Sequence, residues 1–108
     1  MTRIEVLFSP AEFEALGRRD RSQATCVVFD VLRATSTIIT ALANGAVSVV
    51  PVSTIEEAIS EKQKDSAVVL AGERDGFRIT SKLTGSIDFD YGNSPHEFVS
   101  PAVRGKRI

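Results

Sequence analysis

The chain has 108 residues, 43% of them hydrophobic and 25% charged, with a formal net charge of −1. That length accommodates one compact domain and excludes two, while the near-neutral charge, with no basic stripe, gives no reason to expect a nucleic acid or membrane surface as partner. Cys26 is the single cysteine, so no intrachain disulfide can form, and no run approaches the ~20 apolar residues that cross a bilayer. A reducing, cytoplasmic setting is the expectation.

Residues 4–8 alternate enough to predict a first strand. They lead into Ser9-Pro10-Ala11-Glu12-Phe13, a helix start with Ser9 as N-cap, Pro10 at the first helical position and Glu12 positioned for a capping box. Gly17 fits the stop. Residues 26–29, Cys-Val-Val-Phe, are apolar at successive positions, as in a strand covered on both faces, which predicts a central strand with Cys26 as a small buried core residue.

A helix is predicted over residues 34–43, with Ile38, Leu42 and Ala46 on one face and Gly45 as its stop. Residues 47–52 read as a third strand, with Pro51 at an edge or strand end. Ser53-Thr54-Ile55-Glu56-Glu57 offers two overlapping capping boxes before an amphipathic helix with Ile55, Ala58 and Ile59 inward and Lys62, Gln63 and Lys64 outward. Residues 67–71 read as the fourth strand.

Residues 80–91 lack periodicity and predict a loop over one end of the sheet. Ser94-Pro95-His96-Glu97-Phe98 repeats the helix start seen at Ser9, with His96 on the surface. Residues 103–108 resemble a turn feeding a new strand, the pattern expected where a longer fold is cut short.

The β-α-β-α-β-α-β order with short connections predicts an α/β fold: a three-layer α/β/α arrangement around a mostly parallel or mixed sheet, forming an incomplete half of a larger domain. Such a half would leave a bare sheet edge and an uncovered apolar face, which favour a homo-oligomer.

In folds of this kind ligands gather beyond the carboxyl ends of the strands, where helix N-termini converge. Three polar clusters occupy or adjoin such positions. The first, Asp30-Val31-Leu32-Arg33-Ala34-Thr35-Ser36-Thr37, pairs a carboxylate able to ligate Mg²⁺ with an arginine able to grip a phosphate or carboxylate through two hydrogen bonds. Thr35, Ser36 and Thr37 add hydroxyls and backbone N–H groups at a helix N-terminus, which favours an anion. The second, Gly72-Glu73-Arg74-Asp75-Gly76, again sets an acid beside an arginine between glycines. The third is Asp90-Tyr91-Gly92-Asn93-Ser94. Each has a plain structural alternative: a strand-ending Asp with Ser and Thr as helix caps, a tight surface turn, and a turn followed by a cap.

Together these segments resemble the 2-phosphosulfolactate phosphatase family. The resemblance runs through Val28-Phe29-Asp30-Val31-Leu32-Arg33-Ala34-Thr35-Ser36-Thr37, Ala43-Asn44-Gly45-Ala46, Pro51-Val52-Ser53-Thr54-Ile55-Glu56-Glu57-Ala58, Leu70-Ala71-Gly72-Glu73-Arg74-Asp75-Gly76, Phe89-Asp90-Tyr91-Gly92-Asn93-Ser94-Pro95 and Gly105-Lys106, all in family order.

It implies a Mg²⁺-dependent hydrolase that converts the phosphate monoester 2-phosphosulfolactate to sulfolactate and phosphate, a step of coenzyme M biosynthesis. It also implies that members continue into a further strand and a Thr/Asn/Gly-rich loop that complete the site. On the matching positions, Asp30 is the first choice as metal ligand, with an aspartyl nucleophile as its second role, and Glu73 ligates Mg²⁺ or positions water. Arg33 and Arg74 hold the two anionic ends of the substrate. Thr35, Ser36 and Asn93 donate to phosphate oxygens, with Thr37 and Ser94 in the same substrate-binding set.

Two other enzyme classes fit poorly. A haloacid-dehalogenase-type phosphatase wants a second Asp two residues after Asp30, where Leu32 stands, and an isochorismatase-type hydrolase wants a nucleophilic cysteine at a strand end. The non-enzymatic alternative is an anion-binding or interaction module without turnover.

Overall fold

Helix starts follow the capping chemistry at α1 and α3. In a computed structural model, which describes residues 2–108, α1 spans Pro10–Leu16 with a complete Ser9/Glu12 capping box and Gly17 as C-cap. α2 spans Ala34–Ala43 and ends at Asn44, followed by Gly45 at φ 96. α3 spans Ile55–Lys64, and of its two overlapping boxes the Thr54/Glu57 pair is the one made. The Ser94 start gives one 3₁₀ turn, Pro95–Glu97, rather than an α-helix. The segment expected to be pure loop contains a short α4, Ser81–Thr84, closed by Gly85 in the left-handed region. A last helical turn, α5, covers Ser100–Val103.

The chain is a small α/β domain in which the one regular sheet among the described residues is an antiparallel hairpin, β1 (Glu73–Arg74) with β2 (Phe77–Arg78). Its register, Glu73 with Arg78 and Arg74 with Phe77, leaves Asp75 and Gly76 as a two-residue turn. Both have positive φ, 54 and 80, as the mirror-image turns of tight hairpins require. The Asp-Gly pair was the sequence signal for this hairpin, which the strand prediction ending at Ala71 did not include.

Parallel pairing is present in short pieces. Ser48 bridges Arg107 and Ala71 bridges Tyr91, both in parallel. The Val50 N–H donates to the Ile108 carbonyl at 2.8 Å and the Val69 N–H to the Arg107 carbonyl at 2.9 Å. Tyr91 N–H reaches the Leu70 carbonyl and Gly72 N–H the Tyr91 carbonyl, both at 3.1 Å. The lateral order is therefore residues 47–50, 106–108, 69–72 and 91. The closing residues of the chain thus lie between two earlier segments, with α3 joining residues 47–50 to 69–72 and the short α5 preceding 106–108.

Two hydrophobic clusters hold this arrangement. Ala58, Val68, Leu70, Ile79 and Phe89 form one, with Ile55, Ile59 and Ile87 packed against it. Ala41, Phe98 and Val103 form the other, joined by Val49, Ala71, Tyr91 and Ile108. Leu70 and Ala71 fall in different clusters, as the two-residue period of an extended chain demands. The Phe98 ring lies 5.5 Å from that of Tyr91 and Asn44 Nδ2 donates to the Phe98 carbonyl at 2.8 Å, so α2 is fastened to the chain around Phe98.

Several expectations are corrected. Residues 4–8 and 26–29 form no strands. Val28 is 80% exposed, Phe29 is 90% exposed, and Cys26 is exposed rather than a core residue. An apolar run becomes a strand only when neighbouring chain accepts its hydrogen bonds, and no described segment pairs with these residues. On α2 the buried positions are Thr37 and Ala41, while Leu42 is exposed. The small Ala41 lets α2 approach Phe98 closely, which rotates the inward stripe away from the Ile38–Leu42 line.

Candidate functional site

The first turn of α2 begins the site. Arg33 is its N-cap residue and makes no side-chain cap. The first intrahelical bond in this turn is donated by Thr37 N–H to the Arg33 carbonyl at 2.9 Å, so the preceding N–H groups of Thr35 and Ser36 carry the unspent donors and positive dipole end that every helix start exposes.

The structure joins this turn to the other two polar clusters. Arg33 Nη2 pairs with Glu73 Oε2. The other oxygen of the same carboxylate, Glu73 Oε1, accepts from the Asn93 N–H at 2.9 Å. The buried Thr37 hydroxyl donates to the Asn93 carbonyl at 3.0 Å. The start of α2, residue 73 and residue 93, far apart in sequence, thus meet through the side chains of Arg33, Thr37 and Glu73 and the backbone N–H and carbonyl of Asn93. The Glu73 side chain is only 17% exposed, against 44% for Arg33, so the pair is partly withdrawn from solvent and screened less than a surface ion pair.

Glycine is needed between the two acids. A Cβ on Gly92 would stand 3.1 Å from Glu73 Oε1 and 3.1 Å from Glu97 Oε2. Glu97 in turn accepts from Gly92 N–H at 3.1 Å and from Ser94 N–H at 3.3 Å. The N–H groups of Gly92, Asn93 and Ser94 are therefore all taken by carboxylates. Glu97 was absent from the predicted site, although its place in the Ser94 capping pattern was the signal for it.

The remaining predicted residues divide by how free they are. Ser36 Oγ donates to the Val31 carbonyl at 2.6 Å and so is engaged in holding the turn before α2. Arg74 is exposed and its Nη1 donates to the Glu73 carbonyl at 2.8 Å. Asp90 Oδ2 accepts from Leu70 N–H at 2.8 Å, a link in the sheet. His96 is exposed, as expected. Thr37, Glu73, Arg74, Gly92 and Asn93 help to line a cleft of about 320 Å³ whose walls also include apolar residues such as Val49 and Ala71.

Asp30 differs from all of these. Its Oδ1 is a buried side-chain oxygen with no hydrogen-bond partner among the described residues. Buried acceptors of this kind call for a cation or a water molecule. Magnesium takes one or two carboxylates and completes its shell with water and phosphate oxygens, so the residues present fit it at Asp30. No group of three or more His, Cys, Asp or Glu side chains gathers among the described residues, a number that magnesium does not require. Glu73, with hydrogen bonds or ion pairs at both oxygens, has less to offer.

A family model, 2-phosphosulpholactate phosphatase, matches residues 12–108. The chain belongs to this family. Among curated relatives, a protein of Thermotoga petrophila is 51% identical over 84 residues, covering 78% of this chain and 33% of the relative. One of Pseudothermotoga lettingae is 47% identical over 105 residues, 97% of this chain and 39% of the relative. One of Carboxydothermus hydrogenoformans is 42% identical over 106 residues, 98% of this chain and 39% of the relative. Each bears the name probable 2-phosphosulfolactate phosphatase. The chain thus spans between a third and two-fifths of the length of these relatives. Among the described residues no helix is long and apolar enough to cross a membrane.

Proposed function

We propose that this chain supplies the phosphate-holding part of a Mg²⁺-dependent phosphatase acting on a small, doubly anionic phosphate monoester such as 2-phosphosulfolactate. The observation that carries the reading is the link from Arg33 at the start of α2 through Glu73 to Asn93, which fixes the Arg33 guanidinium beside the unspent N–H groups of the first turn of α2. Family membership supports the reaction class.

In this reading a phosphate oxygen sits at the first turn of α2, held by the Thr35 and Ser36 N–H groups and by the free edge of the Arg33 guanidinium. The exposed Arg74 side chain supplies the charge for the sulfonate or carboxylate at the other end of the substrate. Asp30 would hold Mg²⁺, which when bound neutralises charge developing on the phosphoryl oxygens. The protein's own part is positioning and charge stabilisation, which dominate phosphoryl transfer. The placement of Leu70 and Ala71 in separate clusters supports a three-layer α/β/α arrangement for the whole fold, with helices on both faces.

The test is phosphate release from 2-phosphosulfolactate and from an aryl phosphate, with Mg²⁺ and with EDTA, by this chain extended to the relatives' length. Mg²⁺-dependent release that disappears in Asp30→Asn is the expected result. A folded, extended protein that binds phosphate but releases none would leave an anion-binding module without turnover.

A further inference from the structure

Glu73 lies where three sequence-distant segments meet, and both of its oxygens are occupied: Oε2 by Arg33 and Oε1 by the Asn93 N–H. A carboxylate that ligates a cation would have to give up one of these partners. Asp30, by contrast, keeps a buried oxygen unpartnered. The two acids, interchangeable in sequence, therefore differ in what they are free to do.

Arg33 is also used in a limited way. Of its nitrogens only Nη2 has a partner among the described residues, and that partner is Glu73. A guanidinium carries five N–H donors in a rigid fork, so fixing one nitrogen orients the fork and leaves the Nε and Nη1 donors for an anion. On the opposite oxygen, Glu73 holds the peptide N–H of Asn93, whose carbonyl receives the Thr37 hydroxyl. One carboxylate thus sets the positions of Arg33, of residues 92–94 and, through Thr37, of α2.

The lack of a Cβ at Gly92 is part of this device. A methyl there would press on Glu73 Oε1 and Glu97 Oε2 together, while Glu97 holds the neighbouring N–H groups of Gly92 and Ser94.

We propose that Glu73 is a positioning residue, resting on the functional reading above: it orients the Arg33 guanidinium toward the phosphate oxygens of the substrate and locks residues 92–94 against α2, and it does not ligate the cation. It touches neither substrate nor metal, and acts through Arg33.

The experiment measures two affinities in the chain, for inorganic phosphate in EDTA and for Mg²⁺ alone, in wild type, Glu73→Gln, Arg33→Lys and Asp30→Asn. Glu73→Gln keeps the shape and an acceptor for Asn93 N–H but loses the charge that steers Arg33. It is expected to weaken phosphate binding about tenfold, the scale of losing a partner one shell away from a ligand, with Mg²⁺ affinity unchanged. Arg33→Lys, which keeps the charge and loses the fork, should show the same split, and Asp30→Asn the reverse one. The amide exchange rate of Asn93 distinguishes a lost fold from a lost orientation: protection is retained in Glu73→Gln.

Loss of Mg²⁺ affinity in Glu73→Gln would make Glu73 a ligand and overturn the proposal. Unchanged phosphate affinity in that variant would do the same while leaving the phosphatase reading intact. A wild-type chain that binds no phosphate overturns the reading itself.

Discussion

Residues 26–29 and residues 67–71 are both short apolar runs that lead into a polar cluster, yet they end in opposite environments. Val68 and Leu70 are buried, and chain on both sides is bonded to this run: the Val69 N–H donates to the Arg107 carbonyl and the Leu70 carbonyl accepts from the Tyr91 N–H. Val27, Val28 and Phe29 stand in solvent. The same contrast divides the helices. α1 has a complete capping box and buries nothing, whereas α3 has an equivalent box and places Ala58 in a core cluster. Caps decide where a helix starts; only long-range packing decides whether the element contributes to a core.

Truncating one phenylalanine in each environment gives the largest expected difference. Phe98 is 1% exposed between Ala41 and Val103, so Phe98→Ala is expected to cost about 3–5 kcal/mol in a urea unfolding experiment. Phe29→Ala removes a side chain that touches solvent, and is expected to stay within about 0.5 kcal/mol of wild type. Comparable losses in the two variants would mean that residues 26–29 are packed in solution and that the contrast is false.

A smaller effect sharpens the helix comparison. Thr54 accepts from the Glu57 N–H at 3.1 Å, and Thr54→Ala should lower global stability by about 1 kcal/mol, because α3 is part of the core. Ser9→Ala removes the same kind of cap from α1 and is expected to melt residues 10–16 locally, seen in their NMR shifts, with the global midpoint unchanged. A global loss from Ser9→Ala would show that α1 is docked.

The smallest expected effect is a pH dependence confined to α1. Hydrogen bonds from the Phe8 N–H, then from the Ser9 hydroxyl and N–H, hold the Glu12 carboxyl below its usual range. A depressed carboxylate stabilises the folded form above its ordinary value, and that contribution is lost as pH falls through the lower, folded-state value. The helical shifts of residues 10–16 should therefore persist through the ordinary carboxylate range and fade only in stronger acid. Fading at the ordinary value would remove the capping box from the account.

The legible part of this fold was local. Ser9, Pro10 and Glu12, then Thr54 and Glu57, marked two helix starts correctly, because a capping box is written within four residues. The inward positions Ile55, Ala58 and Ile59 were legible for the same reason. Cys26 to Phe29 misled, since apolar continuity records what a segment could bury and not whether a neighbour is present to bury it. The inward face of α2 misled in a different way: the choice between Leu42 and Ala41 is made by the bulk of Phe98, 57 residues away from Ala41.

The candidate site was legible as three clusters and illegible as a geometry. Asp30, Arg33, Glu73 and Asn93 were all singled out from residue type and place in the chain. That Glu73 would bind Arg33 with one oxygen and Asn93 with the other depends on how the β1–β2 hairpin meets residues 92–94, which no short window contains. Glu97 was read as a helix cap, and it is also the second carboxylate against Gly92.

The phosphatase reading requires that the start of α2 hold a phosphate oxygen. The most direct measurement is a titration of isotope-labelled chain with inorganic phosphate, following backbone amide shifts. Saturable shifts are expected at Thr35 and Ser36, accompanied by the Arg33 side-chain N–H signals, with residues 10–16 unmoved. Saturable shifts that avoid the first turn of α2, or no saturable shift in a folded sample, would contradict it.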